Sequence, residues 1–99
     1  MTVRFLDIAE AELDDAIRWY QTQAQGLGEV FLLEVVAAAN RIARYPEAWH
    51  LLEQGIRRCR LTRFPYGLIY AIEKDDVLIL ALAHLHRKPE YWRDRLQKK

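Results

Sequence analysis

The sequence predicts an α+β fold with the element order β-α-α-β-β-β, in which a hairpin of two helices packs on a small, largely antiparallel sheet. Three observations predict this architecture. Two amphipathic helical patterns follow each other in the first half of the chain, and two apolar, strand-like runs follow each other in the second half. Between them lies a strand whose side chains alternate in character. A short helix or tail is expected at the C-terminus.

Length and composition predict a single ordered domain over residues 1–99. Hydrophobic residues make up 52% of the chain and charged residues 29%, with no low-complexity segment. No apolar run approaches the roughly 20 residues that a membrane span needs, and the N-terminus is too acidic for a signal peptide. We therefore expect a cytoplasmic protein that does not bind membranes.

Charge is distributed unevenly along the chain. Residues 1–54 contain four Lys and Arg against nine Asp and Glu, whereas residues 55–99 contain eleven against five. The net charge of +1 hides this asymmetry. A basic sheet and tail on a nearly neutral protein indicate an anionic partner.

The first helix is predicted after a short edge strand at residues 2–6. Asp7 is expected to cap this helix, because Glu10 stands three positions later, as in a capping box. The helix can extend through residues 21–25. Its apolar stripe recurs at intervals of three and four residues and comprises Ala9, Leu13, Ala16, Ile17 and Tyr20.

The second helix is predicted from about Glu29 to Tyr45, after a turn at residues 26–28 that contains two glycines. Pro46 ends it. The two helical stripes need an apolar surface to cover, and a face of the sheet is the only one that the chain provides. The stripe of this second helix comprises Phe31, Val35, Ala38, Ala39 and Ile42.

The segment around His50 is expected to be a connecting loop. Residues 56–64 then alternate in character, which predicts a half-buried strand. Arg58 and Arg60 share its solvent face, and Cys59 faces the core as a buried thiol.

Residues 66–72 and 77–83 are apolar almost throughout, which is typical of central strands covered on both faces. The polar residues 73–76 between them are few enough to join them as an antiparallel hairpin.

The sequence contains no motif of a cofactor-dependent or metal-dependent enzyme. It has no Gly-rich phosphate loop, no set of His, Cys and Asp at metal-ligand spacing and no serine triad. A single cysteine excludes an intrachain disulfide. Neither a cofactor nor a metal is implied.

The order and spacing of six segments resemble the RelE/ParE superfamily of toxins from bacterial type II toxin-antitoxin systems. The likeness covers nearly the full chain. The segments that carry it are AIRWY at 16–20, the GLG turn at 26–28 with Phe31 and Leu32 after it, IARYP at 42–46, IRR at 56–58, RFPYGLIY at 63–70 and HLHRKPEYW at 84–92.

The resemblance implies the toxin of a module associated with growth inhibition and plasmid stabilisation, held inactive by a cognate antitoxin. Some members cut messenger RNA in the ribosomal A site, and others poison DNA gyrase without cutting anything themselves. Both targets stay open at this point. A third alternative is a binding module that retains the fold and has lost the toxic activity.

The resemblance also implies where a nuclease site would lie. Arg58 and Arg60 match positions where the ribosome-dependent nucleases carry basic residues, and Arg87 falls near their C-terminal arginine. Tyr91 completes the set of catalytic candidates, because an aromatic ring can stack on a base. Against this reading, Gly67 stands where those nucleases carry an arginine.

Three further residues are candidates for contact with the target: Arg63, His86 and Trp92. Each has a structural alternative. Arg63 can form an ion pair at the sheet edge, and the aromatic pair at 91–92 can cover the end of the sheet. His84, which ends an apolar strand, is expected to be structural.

Overall fold

The computed structural model describes residues 1–87 and 90–96. The elements, in chain order, are β1 (Thr2–Phe5), α1 (Asp7–Gln23), α2 (Leu27–Arg44), β2 (His50–Glu53), β3 (Ile56–Arg60), β4 (Tyr66–Glu73), β5 (Asp76–His84) and a 3-10 turn at Arg93–Arg95. The strands form one sheet in the order β1-β5-β4-β3-β2. β1 is parallel to β5, and the other neighbouring strands are antiparallel. The predicted fold class, edge strand and central hairpin are confirmed.

The sheet has one strand more than the sequence predicts. The segment around His50, expected as a loop, is strand β2, which pairs antiparallel with β3. Gly55 makes the tight connection possible, because its φ of +81° is favourable only without a side chain. β2 is a four-residue edge strand with two exposed residues, so it carries no alternating pattern. Its pairing with β3 is a tertiary effect that local sequence does not report.

The starts of the two helices differ slightly from the predictions. Leu6, in extended conformation, is the N-cap of α1, and Asp7 is the first helical residue. The predicted capping box is therefore wrong, because no side chain caps this end. Asp7 and Glu10 still stabilise the first turn through the helix dipole. α2 begins at Leu27 rather than Glu29, directly after Gly26, which has a φ of +82°.

The helices cover one face of the sheet, which we call the helix-covered face. Both predicted stripes pack there, with six residues buried and the others partly buried: Ala9, Ala16, Phe31, Val35, Ala38 and Ile42. Four aromatic rings form the centre of this packing. Tyr20 stacks on Phe31 with 4.9 Å between ring centroids, and Phe64 and Tyr66 contact Phe31 edge-on.

The opposite face is covered by residues 90–96 and is called the C-terminal face. Its core comprises Ile56, Ile69, Ala71, Leu78, Leu80, Ala81, Ala83 and Trp92. Strand β5 contains a β-bulge opposite Ile69 and Tyr70. Ile69 pairs with Ala81 and Tyr70 with Ile79, so Leu80 is an extra residue without a partner in β4. Both central strands are thus buried on both faces, as their apolar sequences predict.

Cys59 faces the helices and is 1% exposed, which confirms the prediction of a core thiol. Burial raises the pKa of this thiol, and the nearby Arg41 guanidinium only partly offsets the effect. Among the described residues, no helix combines the length and the apolar character that a bilayer span requires.

Candidate functional site

A cavity of about 180 Å³ opens on the C-terminal face, between the sheet and the segment that follows residue 89. Both apolar and charged side chains line it. The apolar ones include Leu52, Ile69, Ala83 and Trp92, and the charged ones are Glu53, Arg58, Arg87, Glu90 and Arg93. We refer to this space as the Arg58 cavity.

Arg58 occupies its position because the facing strand carries Gly67. A Cβ atom at Gly67 would lie 2.9 Å from Arg58 Cγ and 3.1 Å from Cδ, so the arginine stem crosses the space of the missing side chain. The arginine that the nucleases carry at this position would collide with the present conformation of Arg58. Position 67 therefore carries no cation in this chain, and the absence of a side chain there leaves room for the stem of Arg58.

The guanidinium group of Arg58 forms no ion pair with a described residue. Its Nε atom is buried and has no hydrogen-bond partner in the described part of the chain. A buried donor without a partner is costly, by about 1–3 kcal/mol.

The C-terminal segment is held by four side chains, Glu12, Arg87, Tyr91 and Arg95, which we call the Tyr91 clamp. The Tyr91 ring lies between two guanidinium groups, with its centroid 3.8 Å from Arg87 Cζ and 4.9 Å from Arg95 Cζ. Arg95 donates two hydrogen bonds to the Glu12 carboxylate, at 2.9 and 3.0 Å. A nitrogen of Arg87 lies 4.0 Å from the same carboxylate.

The clamp also provides partners for backbone groups at the edge of β5. Pairing between β1 and β5 ends at Phe5. Beyond that point, Glu12 accepts a hydrogen bond from the Leu82 amide at 3.1 Å, and Arg95 donates one to the Leu80 carbonyl at 3.0 Å. These two side chains supply the hydrogen-bond partners that backbone groups of a longer β1 would supply to β5.

The environment of Tyr91 keeps its hydroxyl group protonated. Burial raises the pKa of this phenol, the Glu12 carboxylate raises it further, and Arg87 and Arg95 oppose the shift. The hydroxyl oxygen is buried and makes no hydrogen bond of good geometry with a described residue. A neutral, covered phenol is a poor general base.

The third arginine of the cavity, Arg93, is fully engaged by carboxylates. It donates two hydrogen bonds to Glu53 Oε1, at 2.7 and 3.0 Å, and lies 3.4 Å from Glu90. Its charge therefore holds the C-terminal segment to β2.

Four of the seven candidate residues meet at the Arg58 cavity: Arg58, Arg87, Tyr91 and Trp92. Arg60, Arg63 and His86 do not line it. Arg60 is exposed as expected, whereas Arg58, expected on the same solvent face, is only partly exposed because residues 90–96 cover it.

Trp92 is 4% exposed and packs in the core of the C-terminal face. Its position matches the alternative in which the aromatic pair covers the sheet, and in this conformation the ring offers no surface for base stacking.

Arg63 and His86 lie in local structural contacts. Arg63 pairs with Glu34, which also accepts hydrogen bonds from the Thr62 and Arg63 amides. Burial alone would raise the pKa of Glu34, but the hydrogen bonds and charge of Arg63 outweigh it and lower the pKa. The His86 amide donates to Nδ1 of His84, whose ring packs edge-on against Tyr66.

Sequence reasoning missed Glu12, Glu53, Arg93 and Arg95 as parts of this site. Glu12 and Arg95 are 83 positions apart, so no local pattern connects them. The available signal was the pair of aromatic residues at 91–92 followed by Arg93 and Arg95, which predicts a buried ring with charged neighbours.

A second surface lies on the outer side of α2, away from the sheet. Three of its residues are large, apolar and exposed: Leu32, Leu33 and Val36, with Leu33 at 68%. Next to them a groove of about 360 Å³ is lined by Ala37, Asn40, Arg41, Arg44, Tyr45 and Trp49. We call these two sets together the α2 surface.

Within the described residues, no group of His, Cys, Asp and Glu side chains could hold a metal ion. The chemistry that the site offers comes from guanidinium and carboxylate groups, the phenol of Tyr91, the imidazole of His84 and apolar walls.

Comparison with known proteins identifies the family. The model of the ParE toxin of the type II toxin-antitoxin system parDE matches residues 3–89. The chain belongs to the ParE toxin family. It is therefore the toxin component of a type II toxin-antitoxin module, and the resemblance to the RelE/ParE superfamily is confirmed.

The fold of this ParE-family toxin also matches a solved structure, described as the chromosomal ParDE TA system from P. aeruginosa. The TM-score is 0.70 at 18% sequence identity, and the match covers 87% of this chain and 97% of that one. No curated protein matches the sequence. Five members of the clamp and the cavity lie beyond the stretch that the family model matches: Glu90, Tyr91, Trp92, Arg93 and Arg95.

Proposed function

We propose that this toxin arrests growth by binding DNA gyrase, without cutting RNA, and that a cognate antitoxin neutralises it in the cytoplasm. The observation that carries the proposal is the family match over residues 3–89. The state of two of the four candidate nuclease residues supports it, because Arg87 and Tyr91 are engaged with each other and lie next to Glu12 and Arg95.

Cleavage of RNA by an attacking 2'-hydroxyl needs a base, cations at the phosphate and an acid for the leaving oxygen. Two of the catalytic candidates are poorly placed for these tasks. Tyr91 is covered and stays protonated, and Arg87 is occupied by the Tyr91 ring and lies near Glu12. Gly67 replaces a further cation. These features favour a target that is bound rather than cut.

Two arginine side chains keep exposed surface with which such a target could form contacts, although one of them, Arg87, also packs on Tyr91. Arg60 is exposed on β3, and Arg87 keeps 55% of its side chain accessible next to the exposed His86. A protein or DNA surface rich in negative charge would be attracted to them, with a strength that falls as salt increases.

The α2 surface fits the antitoxin. Its exposed leucines and valine offer an apolar strip, and Arg41 and Arg44 line the adjoining groove. This combination favours an amphipathic segment with an acidic edge, laid along the helix. A system named ParDE has the same fold as this chain, which is consistent with a partner of that kind.

The experiment is to induce the gene in growing cells and to measure plasmid supercoiling and transcript ends in the same culture. We expect growth arrest, loss of negative supercoiling and intact transcripts. Co-expression of the neighbouring gene should restore growth. The Arg60→Glu variant should arrest growth less, because the reversed charge repels an anionic target.

Messenger cleavage is the second candidate, and one observation favours it: Arg58, Arg87 and Tyr91 meet at one cavity. Discrete cuts with 5'-hydroxyl ends and normal supercoiling would establish it in place of gyrase binding. Unimpaired growth with a folded, abundant protein would instead indicate a binding module that has lost the toxic activity.

A further inference from the structure

The Arg58 cavity has properties that suit a ligand other than nucleic acid. Among the described residues that line it, three are arginines and two are glutamates. Arg93 is held by Glu53 and Glu90, and Arg87 is shared by Tyr91 and Glu12. Arg58 is the one lining cation in this part of the chain without a carboxylate partner.

Because Arg58 is a single unpaired cation, the cavity suits a ligand group with one negative charge. A nucleic acid backbone presents a run of phosphates and needs several free cations, which the cavity does not supply. A single carboxylate matches the guanidinium fork of an arginine, and such charge-assisted hydrogen bonds are roughly twice as strong as neutral ones.

The size and walls of the cavity point to the same group. A cavity of about 150 Å³ holds a benzene molecule, so the 180 Å³ available here hold a carboxylate with two methylene groups. Leu52, Ile69 and Ala83 would contact the methylenes. The end of a glutamate side chain has this shape and this balance of apolar and charged atoms.

We propose that the Arg58 cavity binds one carboxylate on a short aliphatic stem, and that an acidic side chain of a protein partner supplies it. Arg58 is the binding residue, and Gly67 is the positioning residue that admits its stem. The identity of this partner as the antitoxin rests on the proposed function; the carboxylate site does not.

The buried Nε atom provides a direct reporter of binding. It has no exposed surface in the ligand-free conformation. A carboxylate would first meet the terminal nitrogens of Arg58, and we expect the side chain to turn so that Nε also reaches it. The Arg58 Nε–Hε signal in a ¹H–¹⁵N spectrum would shift strongly downfield when it acquires a charged acceptor.

The experiment is an NMR titration of the full chain with four probes. These are butyrate, the blocked tripeptide Leu-Glu-Leu, its Leu-Gln-Leu counterpart and inorganic phosphate, with a uridine hexanucleotide as a further competitor. We expect saturable shifts of the Arg58 signal with butyrate, at a dissociation constant of roughly 1–10 mM. The glutamate peptide should bind at least tenfold more tightly, and the glutamine peptide should not bind.

Three variants make the test specific. Arg58→Gln should abolish saturable binding, and Arg58→Lys should weaken it about tenfold, because lysine keeps the charge and loses the planar fork. Arg60→Gln is the matched control, since it removes an exposed arginine from the same strand; it should bind both carboxylate probes as the native chain does. The two Arg58 variants lack the Arg58 Nε–Hε signal. Butyrate binding to every variant is therefore measured from the chemical shifts of backbone amides next to the cavity.

Several results would overturn the proposal. Phosphate or the hexanucleotide displacing butyrate from Arg58 would make the cavity a phosphate site. Absence of saturation at 50 mM butyrate would show that there is no site. Equal affinity for butyrate and for the glutamate peptide would contradict a protein source and indicate a free small acid. Because the titration does not depend on growth arrest, its failure is distinguishable from failure of the proposed function.

Discussion

The two faces of the sheet are closed by different kinds of interaction. Two helices of 17 and 18 residues cover one face through hydrocarbon and aromatic packing. A short segment covers the other face, and charged groups hold it in place: Arg95 on Glu12, Arg93 on Glu53, and Tyr91 between two guanidinium groups.

The two kinds of interaction suit different roles: apolar packing stabilises the fold, and charged groups can recognise a ligand. Burial of apolar surface is non-directional and adds up over many atoms, so the helix-covered face stabilises the fold without selecting a ligand. Ion pairs near the surface contribute little each, but they are directional and leave charge at defined places. The C-terminal face thus provides the Arg58 cavity, and the helix-covered face provides the scaffold on which it stands.

The largest effect should come from removing an aromatic ring of the helix-covered face. Phe31 is fully buried and contacts three other rings. Phe31→Ala should lower the free energy of unfolding by about 3–5 kcal/mol, as measured by urea denaturation. Leu33→Ala on the same helix is the control, because an exposed side chain should change stability by less than about 0.5 kcal/mol. Similar losses for both variants would contradict this packing.

The clamp should matter less to global stability and more to the C-terminal segment. Glu12→Gln removes a charged acceptor of Arg95 and weakens the partner of the Leu82 amide, so we expect a loss of about 1.5–3 kcal/mol. Hydrogen exchange should accelerate at residues 90–96 and at Leu82 before it does so elsewhere.

Asp15→Asn provides the matched control for this prediction. Asp15 also pairs with an arginine on α1, but both side chains are more than 70% exposed, so the loss should stay below about 1 kcal/mol. Uniform acceleration of exchange over the whole sheet in Glu12→Gln would show that the two faces are not separable.

A smaller effect should follow from the contact between Gly67 and Arg58. Gly67→Ala places a methyl group 2.9 Å from Arg58 Cγ, and we expect a loss of about 1–2 kcal/mol from the crowding. Shortening Arg58 to Ala should relieve most of it. A double-mutant cycle measures this coupling, and strictly additive losses would mean that the two residues do not compete for space.

The smallest effect is confined to alkaline pH. Burial raises the pKa of Tyr70 to about 12 from its usual 10, with Arg57 opposing and Cys59 adding to the shift. Because the folded state retains this proton more tightly, the stabilisation is complete below pH 10 and is lost as the pH rises through about 12. The stability advantage of the native chain over Tyr70→Phe should therefore shrink between these values. If the free energies of unfolding of the two proteins change with pH in parallel from pH 10 to 12, burial does not raise the pKa of Tyr70 as described.

Much of the architecture could be predicted from the sequence. The stripes through Ala16 and Phe31 and the apolar runs of β4 and β5 repeat at the helix and strand periods, and these periods specify which face is buried. The strand β2 could not be predicted, because four residues at an edge acquire their conformation from pairing with β3. The same applies to the start of α1, where Leu6 takes the place expected for Asp7.

The family, the two-layer fold and the basic character of the second half of the chain could be predicted from residue order alone, because they depend on periodicity, order and composition. Which arginines are free depends instead on contacts between distant parts of the chain. Arg58 and Arg60 look equivalent along the strand, yet residues 90–96 cover the first and leave the second in solvent. Glu12 meets Arg95 across 83 positions. Whether a charged side chain is paired depends on its distance in space from other charges. A local sequence pattern carries no information about contacts between residues so far apart in the chain.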